Sequence, residues 1–197
     1  MLAIMAGLFL MACSSDAVLP RLSGDAVILA FGDSLTFGIG AAPAESYPAV
    51  LERLTGRRVV NSGVPGEVTG EGLSRLPGVL ATENPALMIL CHGGNDLLRH
   101  LNKQETAGNL REMIRLARER GTDVVIIAVP SPNLSLSPPQ FYRETAGEFN
   151  LLFDEKTLAE VLSDRSLKSD YIHPNAAGYR KLAEMVALLL RKNGAVE

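Results

Sequence analysis

The amino-acid sequence predicts an α/β fold, a three-layer α/β/α sandwich around a mainly parallel five-stranded sheet. Short apolar runs rich in β-branched residues alternate along the chain with segments of helical periodicity. These runs are mainly apolar, which is typical of strands buried between two layers of helices. A chain of 197 residues with 47% hydrophobic residues is also long enough to form one well-buried core.

Four apolar runs have the length and composition of buried parallel strands, and a fifth run is weaker. The four strong runs are residues 26–31, 57–61, 86–91 and 123–129, and the weaker one is residues 149–153. Because parallel strands need a crossover connection that covers the sheet, helices are expected between them. Cys91 lies inside the third run and is predicted to be a small buried core residue.

Two segments show clear helical periodicity. Leu110, Met113, Ile114 and Ala117 recur at the spacing of one helix face, and Gly121 follows as a helix stop. A longer terminal helix is predicted by Tyr179, Leu182, Ala183, Val186, Leu189 and Leu190. We expect Pro174 in the first turn of that helix, where a missing N–H does no harm.

The N-terminal segment, residues 1–13, resembles the end of a bacterial lipoprotein signal. Residues 1–12 are apolar and uncharged, and the segment ends in Leu-Met-Ala-Cys at Cys13. The apolar run is shorter than the roughly 20 residues that span a bilayer. We expect an exported bacterial lipoprotein, periplasmic or anchored in the membrane through an acylated Cys13, with a cleaved or frayed terminus as the alternative. Residues 24–193 are then predicted to form one domain.

Composition excludes several classes of function. The net charge is −3, and no run of Lys or Arg is interleaved with aromatic residues, so nucleic acid is not an expected partner. Cys13 and Cys91 are the two cysteines, which does not support a disulfide framework. No Cys/His cluster has metal-ligand spacing, so we expect neither a metal nor an organic cofactor.

A serine follows the first predicted strand directly. Residues 31–38 read Phe-Gly-Asp-Ser-Leu-Thr-Phe-Gly, which places Ser34 at the carboxyl end of the strand, where ligands bind in parallel sheets. A serine on such a strand-to-helix turn is held in the open with N–H groups close by, as a nucleophile requires. The alternative is that Ser34 is an ordinary helix N-cap.

Two further blocks follow the second and third predicted strands. Residues 60–67, Val-Asn-Ser-Gly-Val-Pro-Gly-Glu, include Gly66, whose N–H can approach a ligand, whereas Gly63 is better explained by a turn. Residues 92–96, His-Gly-Gly-Asn-Asp, include Asn95, whose amide can donate to a developing oxyanion without titrating. Either block alone is also compatible with a simple turn.

The fourth block, residues 169–175, reads Ser-Asp-Tyr-Ile-His-Pro-Asn. Asp170 and His173 are three residues apart, so the carboxylate can bind one ring nitrogen while the other faces a nucleophile. A serine needs this arrangement because its hydroxyl is barely nucleophilic until an imidazole accepts its proton. His92 and His100 are interpreted as helix caps or surface residues.

The four blocks occur in the order and strand context of the SGNH hydrolase family, also called GDSL esterases. The sequence resembles this family from the first predicted strand to the terminal helix, and the flavodoxin-like SGNH hydrolase fold is therefore expected. The resemblance implies that Ser34 is the nucleophile, with His173 and Asp170 completing the triad. It also implies an oxyanion hole made by the N–H groups of Ser34 and Gly66 with the amide of Asn95.

The resemblance extends to the bacterial arylesterase, thioesterase and lysophospholipase branch of the family. Residues 59–61, the pair Gly66 and Glu67, and Asn175 carry this finer similarity, although Glu67 stands where a shorter Asp is usual. The branch implies a serine esterase that hydrolyses aryl esters, short to medium acyl esters or lysophospholipid-type esters, and thioesters, through an acyl-enzyme. Its partner is then a small-molecule or lipid ester substrate.

Apolar side chains near these blocks are expected to border an acyl channel, the alternative being that they simply pack on the sheet. They are Leu97, Leu98, Leu101, Leu134, Leu136 and Phe141.

Three other functions remain open at this point. A carbohydrate O-deacetylase would use the same triad in a more polar cleft. A non-catalytic lipoprotein could bind ligands on the same fold. A flavodoxin-like nucleotide binder is disfavoured, because residues 32–40 lack the pattern of a phosphate-binding loop.

Overall fold

A computed structural model describes residues 19–133 and 135–197 of the chain. Five parallel strands form one sheet in the order β2-β1-β3-β4-β5. The strands are β1 (Val27–Gly32), β2 (Arg58–Gly63), β3 (Leu87–Cys91), β4 (Asp123–Ile127) and β5 (Leu152–Asp154). The order reverses beside β1, so β1 and β3 border the crevice in which parallel sheets bind ligands.

Helices connect the strands and cover both faces of the sheet. They are α1 (Ser34–Phe37), α2 (Tyr47–Thr55), α3 (Thr69–Glu83), α4 (Gly94–Leu98), α5 (Lys103–Glu119), α6 (Gln140–Glu148), α7 (Thr157–Ser163) and α8 (Ala176–Lys192). Short 3-10 helices lie at Pro43–Glu45 and Arg165–Leu167. Helices α2, α7 and α8 pack together as one group, and α3, α5 and α6 as another. The two groups form the outer layers, which confirms the predicted sandwich.

The core lies on both faces of the central strands. Ile28, Leu29 and Ala30 of β1 are completely buried, and every residue of β3 is buried. Cys91 is among them, in agreement with its prediction as a core residue. Burial of apolar area at this density is the main stabilising contribution to the sheet.

The bounds of the first four predicted strands are confirmed to within two residues at each end. The second is not buried as predicted, because β2 is an edge strand in which no residue is buried, and the fifth strand was placed too early. Helix α6 continues through Glu148, and the N–H of Phe149 still donates to the carbonyl of Thr145. The strand therefore starts at Leu152 instead of residue 149. Phe149 is apolar because it packs partly buried against the core, not because it is in the strand.

The two predicted amphipathic helices are α5 and α8, and the start of α8 differs from expectation. Asn175 is its N-cap, and its side-chain oxygen accepts hydrogen bonds from the N–H groups of Ala177 and Gly178. Pro174 therefore precedes the cap and is not in the first turn. It pairs instead with Lys168 in an isolated bridge that closes the preceding loop.

None of the helices in the described part of the chain is long and apolar enough to cross a membrane. The predicted signal segment, with Cys13, lies outside the described residues.

Candidate active site

Ser34 lies at the carboxyl edge of the sheet, immediately after β1. The preceding residue, Asp33, is the N-cap of α1, and its carboxylate accepts the N–H of Leu35 at 3.0 Å. The interpretation of Ser34 as an N-cap is therefore wrong. Because Asp33 supplies the cap, the hydroxyl of Ser34 is free to make a different contact.

That contact is with His173. The Oγ atom of Ser34 lies 3.0 Å from Nε2 of His173, and Nδ1 of the same ring lies 2.8 Å from Oδ2 of Asp170. The other carboxylate oxygen of Asp170 accepts the N–H groups of Ile172 and His173, both at 2.8 Å. Asp170 thus orients both the ring and the backbone of the loop that carries it.

The charge state of Asp170 follows from these contacts. Partial burial opposes ionisation, but hydrogen bonds from the His173 ring and from two backbone N–H groups outweigh it and hold the pKa of the carboxyl below its usual range. An ionised carboxylate accepts the Nδ1 hydrogen of His173. The remaining ring nitrogen is then free to accept the proton of the Ser34 hydroxyl.

The predicted oxyanion donors are the backbone N–H groups of Ser34 and Gly66 and the side-chain amide of Asn95, of which Ser34 and Asn95 line the same pocket. The N–H groups of Ser34 and Gly66 make no hydrogen bond with the part of the chain that the structure describes. Gly66 has a φ of +81°, which favours glycine, and its carbonyl accepts from Arg99 at 2.7 Å. Asn95, in α4, donates from its amide nitrogen to the carbonyl of Glu67 at 2.9 Å. Its second amide hydrogen points to Oδ2 of Asp33 at 3.4 Å, so a bound oxyanion would replace this longer hydrogen bond.

A mainly apolar pocket opens beside Ser34. Of the predicted channel residues, Leu98 and Leu136 line it. Asp33, Leu35 and Gly94, which adjoin predicted site residues, line it as well. Sequence analysis also missed six lining residues after β4, namely Val129, Pro130, Pro132, Leu162, Tyr171 and Ile172. Tyr171 and Ile172 lie between Asp170 and His173, so their position next to the predicted catalytic motif could have predicted them.

The other predicted channel residues are elsewhere. Leu97 is buried in the core, since it is one position from Leu98 and faces another side of α4. Leu101 is exposed and lies beside a separate groove next to α5. Phe141 is buried in α6 against the ring of Tyr142, with ring centroids 4.5 Å apart. Leu134 lies outside the described residues.

The interpretation of His92 as a surface residue is wrong. Its side chain is completely buried, and its Nε2 atom lies 3.1 Å from a carboxylate oxygen of Glu67. His100, in contrast, is exposed, as expected. No hydrophobic periodicity distinguishes the two histidines in the sequence, because both lie in short loops. Among the described residues, no cluster of three or more His, Cys, Asp or Glu side chains could hold a metal.

The model of the GDSL-like lipase/acylhydrolase family matches residues 30–181, which include all four sequence blocks. The chain belongs to this family. An arylesterase of Vibrio mimicus is 34% identical to this GDSL hydrolase over 185 residues, covering 84% of the chain and 88% of the relative. Thioesterase 1/protease 1/lysophospholipase L1 of Escherichia coli strain K12 is 27% identical over 181 residues, covering 87% of the chain and 86% of the relative.

Solved structures agree with these relatives. The crystal structure of TesA superposes with a TM-score of 0.77 at 29% sequence identity, covering 85% of this chain and 99% of that one. The comparisons confirm the resemblance to the arylesterase, thioesterase and lysophospholipase branch. The GDSL hydrolase is a serine enzyme that hydrolyses ester bonds, so the non-catalytic and nucleotide-binding alternatives are excluded.

Proposed function

We propose that Ser34 is the nucleophile of this ester hydrolase, with His173 as general base and Asp170 as its orienting carboxylate. The observation that supports these roles is the chain of contacts from Ser34 Oγ to His173 Nε2 at 3.0 Å and from His173 Nδ1 to Asp170 at 2.8 Å. His173 removes the hydroxyl proton as Oγ attacks the ester carbonyl. The resulting imidazolium is stabilised by the ionised Asp170.

The N–H groups of Ser34 and Gly66 and the amide of Asn95 form the proposed oxyanion hole. Attack on the carbonyl places negative charge on its oxygen, and fixed donors stabilise this charge without reorganising. His173 then returns the proton to the leaving alcohol, phenol or thiol, which leaves an acyl group on Ser34. A water molecule, deprotonated by the same imidazole, releases the acid and restores the hydroxyl.

The pocket supports an acyl chain that is apolar and short to medium in length. Leu98, Leu136 and Leu162 line it, and Pro130 and Ile172 complete an apolar wall. Such a wall favours aryl, alkyl and lysophospholipid-type esters, and thioesters, over the polar acetylated sugars that an O-deacetylase binds. The printed names of the relatives, arylesterase and thioesterase/lysophospholipase, support the same substrate classes.

The location of the enzyme is a separate proposal. The apolar segment that ends at Cys13 supports export, with acylation of Cys13 anchoring a domain made of residues 24–193. Stable anchoring requires more than one acyl chain. Metabolic labelling with an alkynyl fatty acid, compared between the full chain and Cys13→Ser, tests this part alone.

Fluorophosphonate labelling and an acyl-length series on one preparation test the proposed chemistry. The reagent is expected to label the parent protein at Ser34 and to leave Ser34→Ala unlabelled. With p-nitrophenyl esters from acetate to laurate, kcat/KM is expected to peak at a short or medium chain. Labelling at another residue contradicts the assignment of the nucleophile, and a flat profile contradicts the acyl pocket.

A further inference from the structure

A largely buried polar cluster adjoins the segments that carry Gly66 and Asn95 and consists of Glu67, Arg75 and His92. The side chains of Glu67 and His92 are 5% and 0% exposed. Arg75 donates to both carboxylate oxygens of Glu67, at 2.6 and 2.7 Å. Paired N–H groups on one carboxylate fix it in the plane of the guanidinium.

Arg75 connects this cluster to the ends of two strands. Its guanidinium also donates to the hydroxyl of Ser62 at 2.7 Å and to the carbonyl of Ser62 at 2.9 Å, in β2. It lies 4.1 Å from the centroid of the Phe31 ring, in β1. The carboxylate of Glu67 is therefore held against the rigid sheet and not against a loop.

The ring of His92 makes one hydrogen bond at each nitrogen. Nδ1 accepts the backbone N–H of Gly93 at 2.9 Å, so it carries no hydrogen. The neutral ring then bears its hydrogen on Nε2, from which it donates to Glu67 Oε2 at 3.1 Å. One side chain thus joins the carboxylate of Glu67 to the backbone that leads into α4.

The two hydrogen bonds of the His92 ring connect the segments that carry the proposed oxyanion donors. The backbone carbonyl of Glu67 holds the amide of Asn95 at 2.9 Å, and the N–H of Gly66 lies one residue before Glu67. Asn95 is two residues after Gly93. The imidazole of His92 therefore adds a buried connection between the two segments, beside the direct hydrogen bonds from Asn95 to Glu67 and from Arg99 to Gly66.

Helix α3 accommodates the same ring. A Cβ atom on Gly72 would lie 2.4 Å from Nε2 of His92 and 3.2 Å from a carboxylate oxygen of Glu67. Only glycine allows the helix to approach this closely. Three separate elements, α3, the loop after β2 and the loop after β3, meet at one hydrogen bond.

We propose that His92 is a positioning residue for the oxyanion hole, which sets the distance between Gly66 N–H and the Asn95 amide by tying Glu67 to the Gly93 backbone. It touches neither substrate nor reacting atoms. The proposal rests on the proposed function, since it requires that Gly66 and Asn95 stabilise the oxyanion. A positional error of about 1 Å in such donors is enough to slow the chemical step roughly 100-fold.

Three substitutions separate the contacts of the ring. His92→Leu fills the space and removes both hydrogen bonds. His92→Gln places an amide N–H near Nε2 and keeps the donor to Glu67, whereas His92→Asn keeps only an acceptor near Nδ1. We expect His92→Leu and His92→Asn to lower kcat by about 10-fold to 100-fold with KM changed less than about threefold, and His92→Gln to recover most of the rate.

Affinity for an alkyl trifluoromethyl ketone distinguishes positioning from simple stability. The ketone carbon forms a bond with Ser34 Oγ, the hydroxyl proton passes to His173, and the carbonyl oxygen becomes an oxyanion in the hole. Its Ki is expected to rise across the variants by the same factor as kcat/KM falls. Thr122→Val is the matched control. It loses a buried hydrogen bond to the carbonyl of Pro85 at the amino ends of the strands, away from the active site. It should lower Tm and leave kcat and Ki unchanged.

Several results would overturn the proposal. His92→Leu could lower Tm while kcat and Ki stay at parental values, or His92→Gln could be as slow as His92→Asn. A loss of kcat without a rise in Ki would place the role of His92 outside the oxyanion hole. If His92→Leu does not fold, the kcat and Ki values of His92→Gln and His92→Asn test the proposal instead. Failure of the proposed function itself appears differently, as a parent protein without esterase activity or fluorophosphonate labelling.

Discussion

The Nε2 atom of His173 lies 3.0 Å from the Oγ atom of Ser34, although 139 residues separate them in the chain. The hydroxyl is at the start of α1, and the imidazole is on the loop before α8. Ser34→Ala and His173→Ala are each expected to lower kcat about 10⁴-fold to 10⁶-fold, and the double variant little further, because the two groups act as one unit. Hydrolysis of p-nitrophenyl butyrate and Tm measure this. A strictly additive double variant would show that they act independently.

Asp170→Asn tests the role of the carboxylate. The amide oxygen can still accept backbone N–H groups, but a neutral side chain neither fixes the ring tautomer nor stabilises the imidazolium. We expect kcat to fall about 10²-fold to 10⁴-fold with Tm little changed, because the side chain is half exposed. Asp164→Asn, at the N-cap of the 3-10 helix before this loop, is the matched control and should remain fully active.

Asn95→Ala removes an amide donor from the proposed oxyanion hole without introducing a charge beside Asp33. Its loss is expected to cost about 3 to 4 kcal/mol of transition-state stabilisation, seen as a fall in kcat/KM of roughly 10²-fold to 10³-fold. Asn193→Ala, near the C-terminal end of α8, loses a single amide hydrogen bond to Leu189 and serves as the control. Parental rates in Asn95→Ala would show that Asn95 is not part of the oxyanion hole.

Glu67 should contribute stability that is lost in acid. Burial opposes its ionisation, but hydrogen bonds from His92 and Arg75 outweigh burial and lower the pKa of the carboxyl. A lowered pKa in the folded state stabilises the protein above the unfolded value of about 4.3, and this contribution disappears as pH falls through the folded value. The free energy of unfolding in urea should therefore differ most between parent and Glu67→Gln near neutral pH. A difference that stays constant down to pH of about 3 would contradict this.

Asp33 should show the opposite dependence. Burial raises the pKa of its carboxyl, so the ionised form is disfavoured in the folded state. The resulting destabilisation is absent below the unfolded pKa of about 3.9 and complete above the folded value. Asp33→Asn keeps an acceptor for the Leu35 N–H and should gain stability relative to the parent as pH rises. The same urea titrations measure it, and a gain that shrinks with rising pH would refute the argument.

The parts of the molecule that depend on local pattern were predictable from sequence. The hydrophobic pattern around residues such as Ile28 and Ile114 predicts that they are buried. Ser34, Asn95 and His173 lie in recognisable sequence blocks that follow strands or precede a helix. The environment of His92 was not predictable, because its burial depends on Gly72, a residue of another helix. The pocket wall was only partly predictable for the same reason, since it converges from the ends of β3 and β4, from α7 and from the loop before α8.

The base and its carboxylate share one short segment, closed by the pairing of Lys168 with Pro174, whereas the nucleophile belongs to the sheet. The hydrogen bond between Asp170 and His173 therefore depends only on the conformation of that segment. Insertions or deletions between β4 and Lys168 can reshape the substrate cavity without disturbing this pair. Only one spacing, from the imidazole to the hydroxyl, then has to be re-established, which makes the scaffold modular with respect to specificity.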